Sequence, residues 1–231
     1  MPDEGRPDTG QHSESTVEIA GCKTRVMRGG KGAPLLFLHV ASGAGPWSPM
    51  MARLAEHYDV IVPEHPGFGA SDTPDWLDNI HYLAHFYVDF IRAFGLEKVH
   101  LVGLSLGGWI AAEMAVRSTR HLASLTLASA AGLHVKGVEQ LDPFLMTDEE
   151  RLRAFFYDQR LAEPMIERLL TPEQEDVNLK NRAATARMTW QPRGHDPNLH
   201  KWLHQIDVPT LLVWGDTDRM FPVRLGEEFQ R

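Results

Sequence analysis

The chain has 231 residues, 43% of them hydrophobic, and its 31 acidic against 23 basic side chains give a formal charge of −8. That balance excludes a basic nucleic-acid surface and an anionic-membrane footprint, and the apolar content excludes general disorder. The single cysteine, Cys22, rules out an intrachain disulfide and a cysteine-built metal cage and suits a reducing compartment, so a cytoplasmic protein without metal or cofactor is expected.

Residues 1–15 are acidic, polar and Gly/Pro-bearing, lack the apolar core of a signal peptide and are expected to form a flexible tail. Short β-branched or leucine-rich runs then appear at Thr24–Met27, Leu35–Leu38, Val60–Val62, Val99–Val102, Leu122–Leu127 and Thr210–Trp214. Several are apolar at consecutive positions, which marks strands buried on both faces of a parallel sheet. Helical patterns alternate with them. The clearest runs from Ile80 to Phe94, where Leu83, Tyr87, Phe90, Ile91 and Phe94 recur at three-and-four spacing, and Gly95 supplies a left-handed stop. The expected class is α/β, with a mostly parallel, doubly wound sheet.

Between about Gly132 and Leu203 strand signals vanish, and Thr147 with Glu150 and Thr171 with Gln174 fit helix-start capping boxes. This segment, 132–203, is expected to be a helical lid inserted in a core formed by 16–131 and 204–231. No run is long enough to span a bilayer.

The chemistry concentrates where the strand Lys98–Val102 meets the next helix, in Gly103-Leu104-Ser105-Leu106-Gly107. This is G-x-S-x-G in a strand–turn–helix setting. A reversal on one residue strains that residue and crowds positions two before and two after it, so glycine is needed at both. The strain lifts the Ser105 hydroxyl beside a helix N-terminus, where the Leu106 amide can stabilise an oxyanion. The bland alternative is a serine that only caps the helix.

With these residues in hand, the chain from about Val17 onward resembles the α/β-hydrolase family. The run Leu36-Phe37-Leu38-His39-Val40-Ala41-Ser42-Gly43 looks like the family's oxyanion loop, with Val40 where glycine is usual. The resemblance implies a second oxyanion amide from Ala41, or from Ser42 if the loop shifts, with His39, Ser42, Trp109 and Phe144 near the substrate. Val60 to Asp72 is similar to the family's next strand and loop, although Pro66, Gly67, Gly69, Ser71 and Asp72 also read simply as a rigid turn. Leu211 to Pro222 resembles the acid-bearing strand end, which implies Asp218 as the carboxylate, with Asp216 as competitor and turn former.

A serine nucleophile needs a histidine base, which in this family follows the acid. Thirteen residues follow Asp218 and none is histidine, fewer than a helix of about 11 and a strand of about 5 residues require. The expectation is therefore a chain lacking its last strand, catalytic histidine and closing helix, so that the 231 residues alone need not be active. His39, His195, His200 and His204 are the internal substitutes. His81/His85 and His200/His204 have metal-pair spacing, but neither segment holds a matching acid.

Serine chemistry implies acyl transfer to water: hydrolysis of a small to medium carboxylic ester, or hydrolysis of a carbon–carbon bond in a ring-fission product. A non-catalytic binding protein of the same fold is the third reading. The expected partner is a small-molecule acyl or ester substrate; a homodimer stays open, and neither nucleic acid nor membrane is expected.

Overall fold

The computed structural model describes residues 11–169 and 171–231. Its strands are β1 (His12–Ile19), β2 (Cys22–Gly29), β3 (Ala33–Leu38), β4 (Tyr58–Pro63), β5 (Val99–Leu104), β6 (Leu122–Ala128) and β7 (Thr210–Val213). They form one sheet in the order β1-β2-β4-β3-β5-β6-β7. β1 and β2 run antiparallel to their neighbours, and β3 to β7 are parallel.

The helices are α1 (Pro49–Ala55), α2 (Ile80–Ala93), α3 (Leu106–Ala115), α4 (Asp148–Ala154), α5 (Glu163–Leu169), α6 (Pro172–Thr189) and α7 (Val223–Phe229). Both faces of the central strands are covered, whereas β7 at the edge leaves Leu211 and Val213 exposed. Leu36, Leu38 and Ile61 join the cluster under α2 and α3, while their neighbours Leu35, Phe37, Val60 and Val62 pack with Trp47 and Met51 on the α1 side. That two-sided burial is why the strands read as unbroken apolar runs.

α2 ends as its glycine predicts. Gly95 lies at φ +59°, its N–H donates to Arg92 O, and Leu96 N–H donates to Ile91 O, the two bonds of a Schellman stop. The capping box at Thr147 and Glu150 is also present, and Thr171 stands at the N-cap of α6.

The expected tail is corrected in part. Residues 1–10 lie outside the described residues, but 12–15 belong to β1, which pairs with β2 through a tight turn at Ala20 (φ +49°) and Gly21 (φ +71°). β1 is hidden from a hydrophobicity reading because all but its end faces solvent; backbone pairing, not burial, holds it.

The chain leaves the sheet after β6 and returns before β7, and the two stems of this excursion are tied together. Gly132 bridges His195, and Asp196 N–H donates to Gly132 O at 3.0 Å. α4, α5 and α6 lie between the stems. α6 is fixed to the sheet domain by Asn181 and Lys180. Asn181 Nδ2 donates to Ser42 O at 2.8 Å while its Oδ1 accepts from Gly69 N–H at 2.9 Å, and Lys180 Nζ donates to Gly69 O and Ser71 O.

Candidate active site

Ser105 stands at the junction of β5 and α3 with φ +55° and ψ −115°, a conformation costly for any side chain-bearing residue. The flanking glycines are demanded by space. A Cβ on Gly103 would lie 2.3 Å from Gly107 O, and one on Gly107 would lie 2.0 Å from Leu38 O. The turn is held by Ser105 N–H on Ala128 O and by Ser105 O, which accepts from Trp109 and Ala131 N–H. Ser105 makes no side-chain cap bond to α3, which disposes of the helix-cap alternative. Leu106 opens α3, so its N–H belongs to the helix's unpaired first turn.

The loop after β3 brings Ala41 to the same cavity as Ser105 and Leu106. All three line a cavity of about 480 Å³, together with Trp109, Phe144 and Phe221. Ser105 also lines a second cavity of about 730 Å³, shared with Ser42 and Asp218. Asp218 is half-buried, and its Oδ1 accepts from Met220 N–H at 2.9 Å and Phe221 N–H at 2.8 Å. Trp214 Nε1 donates to Phe221 O at 2.7 Å and its ring packs on Phe229 of α7, which braces the acid's loop. Asp216 is exposed and lines neither cavity.

Of the residues expected around the substrate, Ser42, Trp109 and Phe144 line one cavity or the other. Trp109 is oriented by its Nε1 bond to Glu113 Oε1. His39 is placed differently. It is 2% exposed, stacks on His65 at 3.6 Å and lines neither cavity; both ring nitrogens are engaged inside the core, so it serves the loop's interior. Among the candidate bases, His195 lines the smaller cavity with Ser105, as does His134, whereas His200 and His204 are exposed and line neither.

The segment around His81 holds no matching acid, but the structure brings two acids to this histidine from elsewhere in the chain. Glu113 Oε2 lies 3.2 Å from its Nδ1 and Asp196 Oδ2 lies 3.6 Å from its Nε2. These three could together face a cation, but the Arg117 guanidinium already fills that role, 2.6 Å from Glu113 Oε2 and 2.7 Å from His81 Nδ1. Burial pushes the Glu113 carboxyl up, yet its hydrogen bonds to His81 and Arg117 outweigh this and hold its pKa at about 2.

A family model for the alpha/beta hydrolase fold matches residues 33–177. The chain belongs to this family. A 2-hydroxy-6-oxo-6-(2'-aminophenyl)hexa-2,4-dienoic acid hydrolase of Metapseudomonas resinovorans is 30% identical, covering 94% of this chain and 78% of its own. A 2-hydroxy-6-oxo-6-phenylhexa-2,4-dienoate hydrolase of Burkholderia cepacia is 29% identical over 85% of this chain and 75% of its own. Among solved structures, a bacterial membrane phospholipase A superposes with a TM-score of 0.75 at 25% identity, covering 96% of this chain and 75% of that one. The protein is a hydrolase of this fold.

Sequence reasoning missed residues that support this hydrolase site from behind. His65 and Tyr87 lie beneath the Ala41 loop, and Asn181 reaches it from α6. Arg193 reaches Asp142 at 2.7 Å and lies over the rings of Trp190 and Phe144 at the wall of the smaller cavity. Nothing in the sequence singled out Asn181, which sits between Lys180 and Arg182 in a helix rich in polar residues.

Proposed function

We propose that the protein hydrolyses a small to medium carboxylic ester through an acyl-enzyme on Ser105. The observation that carries this reading is the positive-φ serine, free of any cap bond, at a point where two cavities meet. Ser105 Oγ attacks the acyl carbon, and the amides of Leu106 and Ala41 take the charge that develops on its oxygen. The histidine expected to follow the acid, its imidazole oriented by Asp218, takes the serine proton and returns it to the leaving group. Water then repeats the attack and frees the acid. The helices between the stems at 132 and 195 act as a lid whose apolar wall selects the acyl group.

A second reading, carbon–carbon bond hydrolysis, is favoured by the relatives whose names specify 2-hydroxy-6-oxo-dienoate substrates. Its ketone carbonyl can use the same nucleophile and oxyanion amides.

Side-by-side turnover of p-nitrophenyl butyrate and of 2-hydroxy-6-oxo-6-phenylhexa-2,4-dienoate separates the two. A higher kcat/KM on the butyrate supports the ester reading, and a higher value on the dienoate reverses the order. Ser105→Ala is expected to abolish turnover of both and to remove labelling by a fluorophosphonate. Undiminished turnover in that variant sinks both readings.

A further inference from the structure

His39, at the root of the Ala41 loop, and His65, just past the end of the neighbouring β4, share a buried contact that the chemistry above does not use. His39 and His65 are fully packed, their rings stacked at 3.6 Å, with Phe68 edge-on to both. Their hydrogen bonds fix each ring's tautomer. The main-chain N–H of His65 can only donate, and it donates to His39 Nε2 at 2.8 Å. The His39 proton is therefore on Nδ1, which donates to Val40 O at 2.7 Å. His65 Nε2 lies 2.9 Å from His39 O, a carbonyl that can only accept, so its proton is on Nε2. His65 Nδ1 is left to accept from the hydroxyl of Tyr87 on α2.

The consequence reaches the cavity through one peptide plane. Val40 O is gripped twice, by His39 Nδ1–H and by Gly43 N–H at 3.0 Å. In a planar trans peptide the next N–H points opposite to that carbonyl. The Val40–Ala41 unit is thus held with its oxygen toward His39 Nδ1 and Gly43 N and the Ala41 N–H on the opposite side, and Ala41 lines the cavity that Ser105 and Leu106 also line. His65 fixes the preceding carbonyl in the same way. We propose that His65 and Tyr87, acting through His39, are positioning residues that aim the Ala41 amide at the oxyanion formed on Ser105's acyl partner. They touch no substrate, and the inference rests on the serine-hydrolase reading.

The test compares His65→Leu, His65→Gln and Tyr87→Phe with the wild type on p-nitrophenyl butyrate. Losing one oxyanion donor costs about a hundredfold to a thousandfold in kcat, so a misaimed donor in His65→Leu is expected to cost about tenfold to a hundredfold with KM little changed. A glutamine amide can still donate to His39 O, so His65→Gln is expected to recover most of that rate, and Tyr87→Phe to fall between. A His65→Leu protein that melts like the wild type and keeps its kcat, or that changes KM alone, overturns the proposal. Should that variant not fold, Tyr87→Phe and imidazole nitrogen NMR of the wild type decide the matter. Protons on His39 Nδ1 and His65 Nε2 support the network, and the opposite tautomer in either ring overturns it. Turnover that survives Ser105→Ala marks a different failure, that of the underlying reading, and it removes the role assigned to the Ala41 amide as well.

Discussion

Asp216 and Asp218 stand two residues apart on the loop leaving β7, yet their surroundings assign them different work. Asp218 shares a cavity with Ser105, and its Oδ1 is held by the Met220 and Phe221 amides, which leaves the other oxygen for the proposed role of orienting an imidazole. Asp216 is exposed. An asparagine at 218 can still accept both amide bonds through its own Oδ1, so the loop should survive the change while the imidazole loses its partner. Asp218→Asn is therefore expected to lower kcat about a thousandfold to ten-thousandfold with an unaltered melting temperature, whereas Asp216→Asn stays near wild type. Steady-state kinetics with thermal melting on both variants checks the pair, and a larger loss at 216 than at 218 would move the assignment to Asp216.

At the scale of elements, α6 is riveted to the sheet domain rather than resting on it. Asn181 satisfies Ser42 O and Gly69 N–H together, 2% exposed, and a Cβ on Gly43 would lie 2.8 Å from its Nδ2. Asn181→Ala leaves both backbone groups without that partner, at a cost of about 1–3 kcal/mol. Urea unfolding should show that loss, and amide exchange should accelerate first in 41–45 and 67–70; unchanged exchange there would mean α6 is held by its apolar contacts alone. The same comparison shows which elements were legible in the sequence. β3, β4 and β5 announced themselves because both of their faces are buried, and the Ser105 turn because its glycines are sterically compelled. β1 gave no apolar signal, since its outer positions face water. His81 looked partnerless because Glu113 and Asp196 reach it from distant parts of the chain, and His39 looked like a cavity residue because nothing local foretells the ring of His65 against it.

For the whole molecule, the buried histidine pair ties the folding equilibrium to acid. Burial drives His65 from an ordinary 6.5 down to about 3, and burial with the neighbouring His65 pushes His39 well below its usual value. Unfolding frees two imidazoles that bind protons below pH 6.5, while the folded rings stay neutral until far lower pH. The unfolded state thus holds more protons across that window, and stability falls as pH falls, by about 1.4 kcal/mol per pH unit for each ring. Glu113 adds to the loss below pH 4.5, because its carboxyl is ionised when folded down to about 2. His81 has the opposite sign: its pKa is raised by hydrogen bonding to Glu113, so its contribution is present below its unfolded value and is lost as pH rises through its folded one. Between pH 6 and 5 the histidine pair governs the slope. Urea midpoints taken through that interval should fall steeply for the wild type, and His65→Gln should flatten the slope by about one proton. A variant with the wild-type slope would mean that the ring at 65 takes up its proton in the folded protein much as it does in the unfolded chain, and that burial does not hold it neutral.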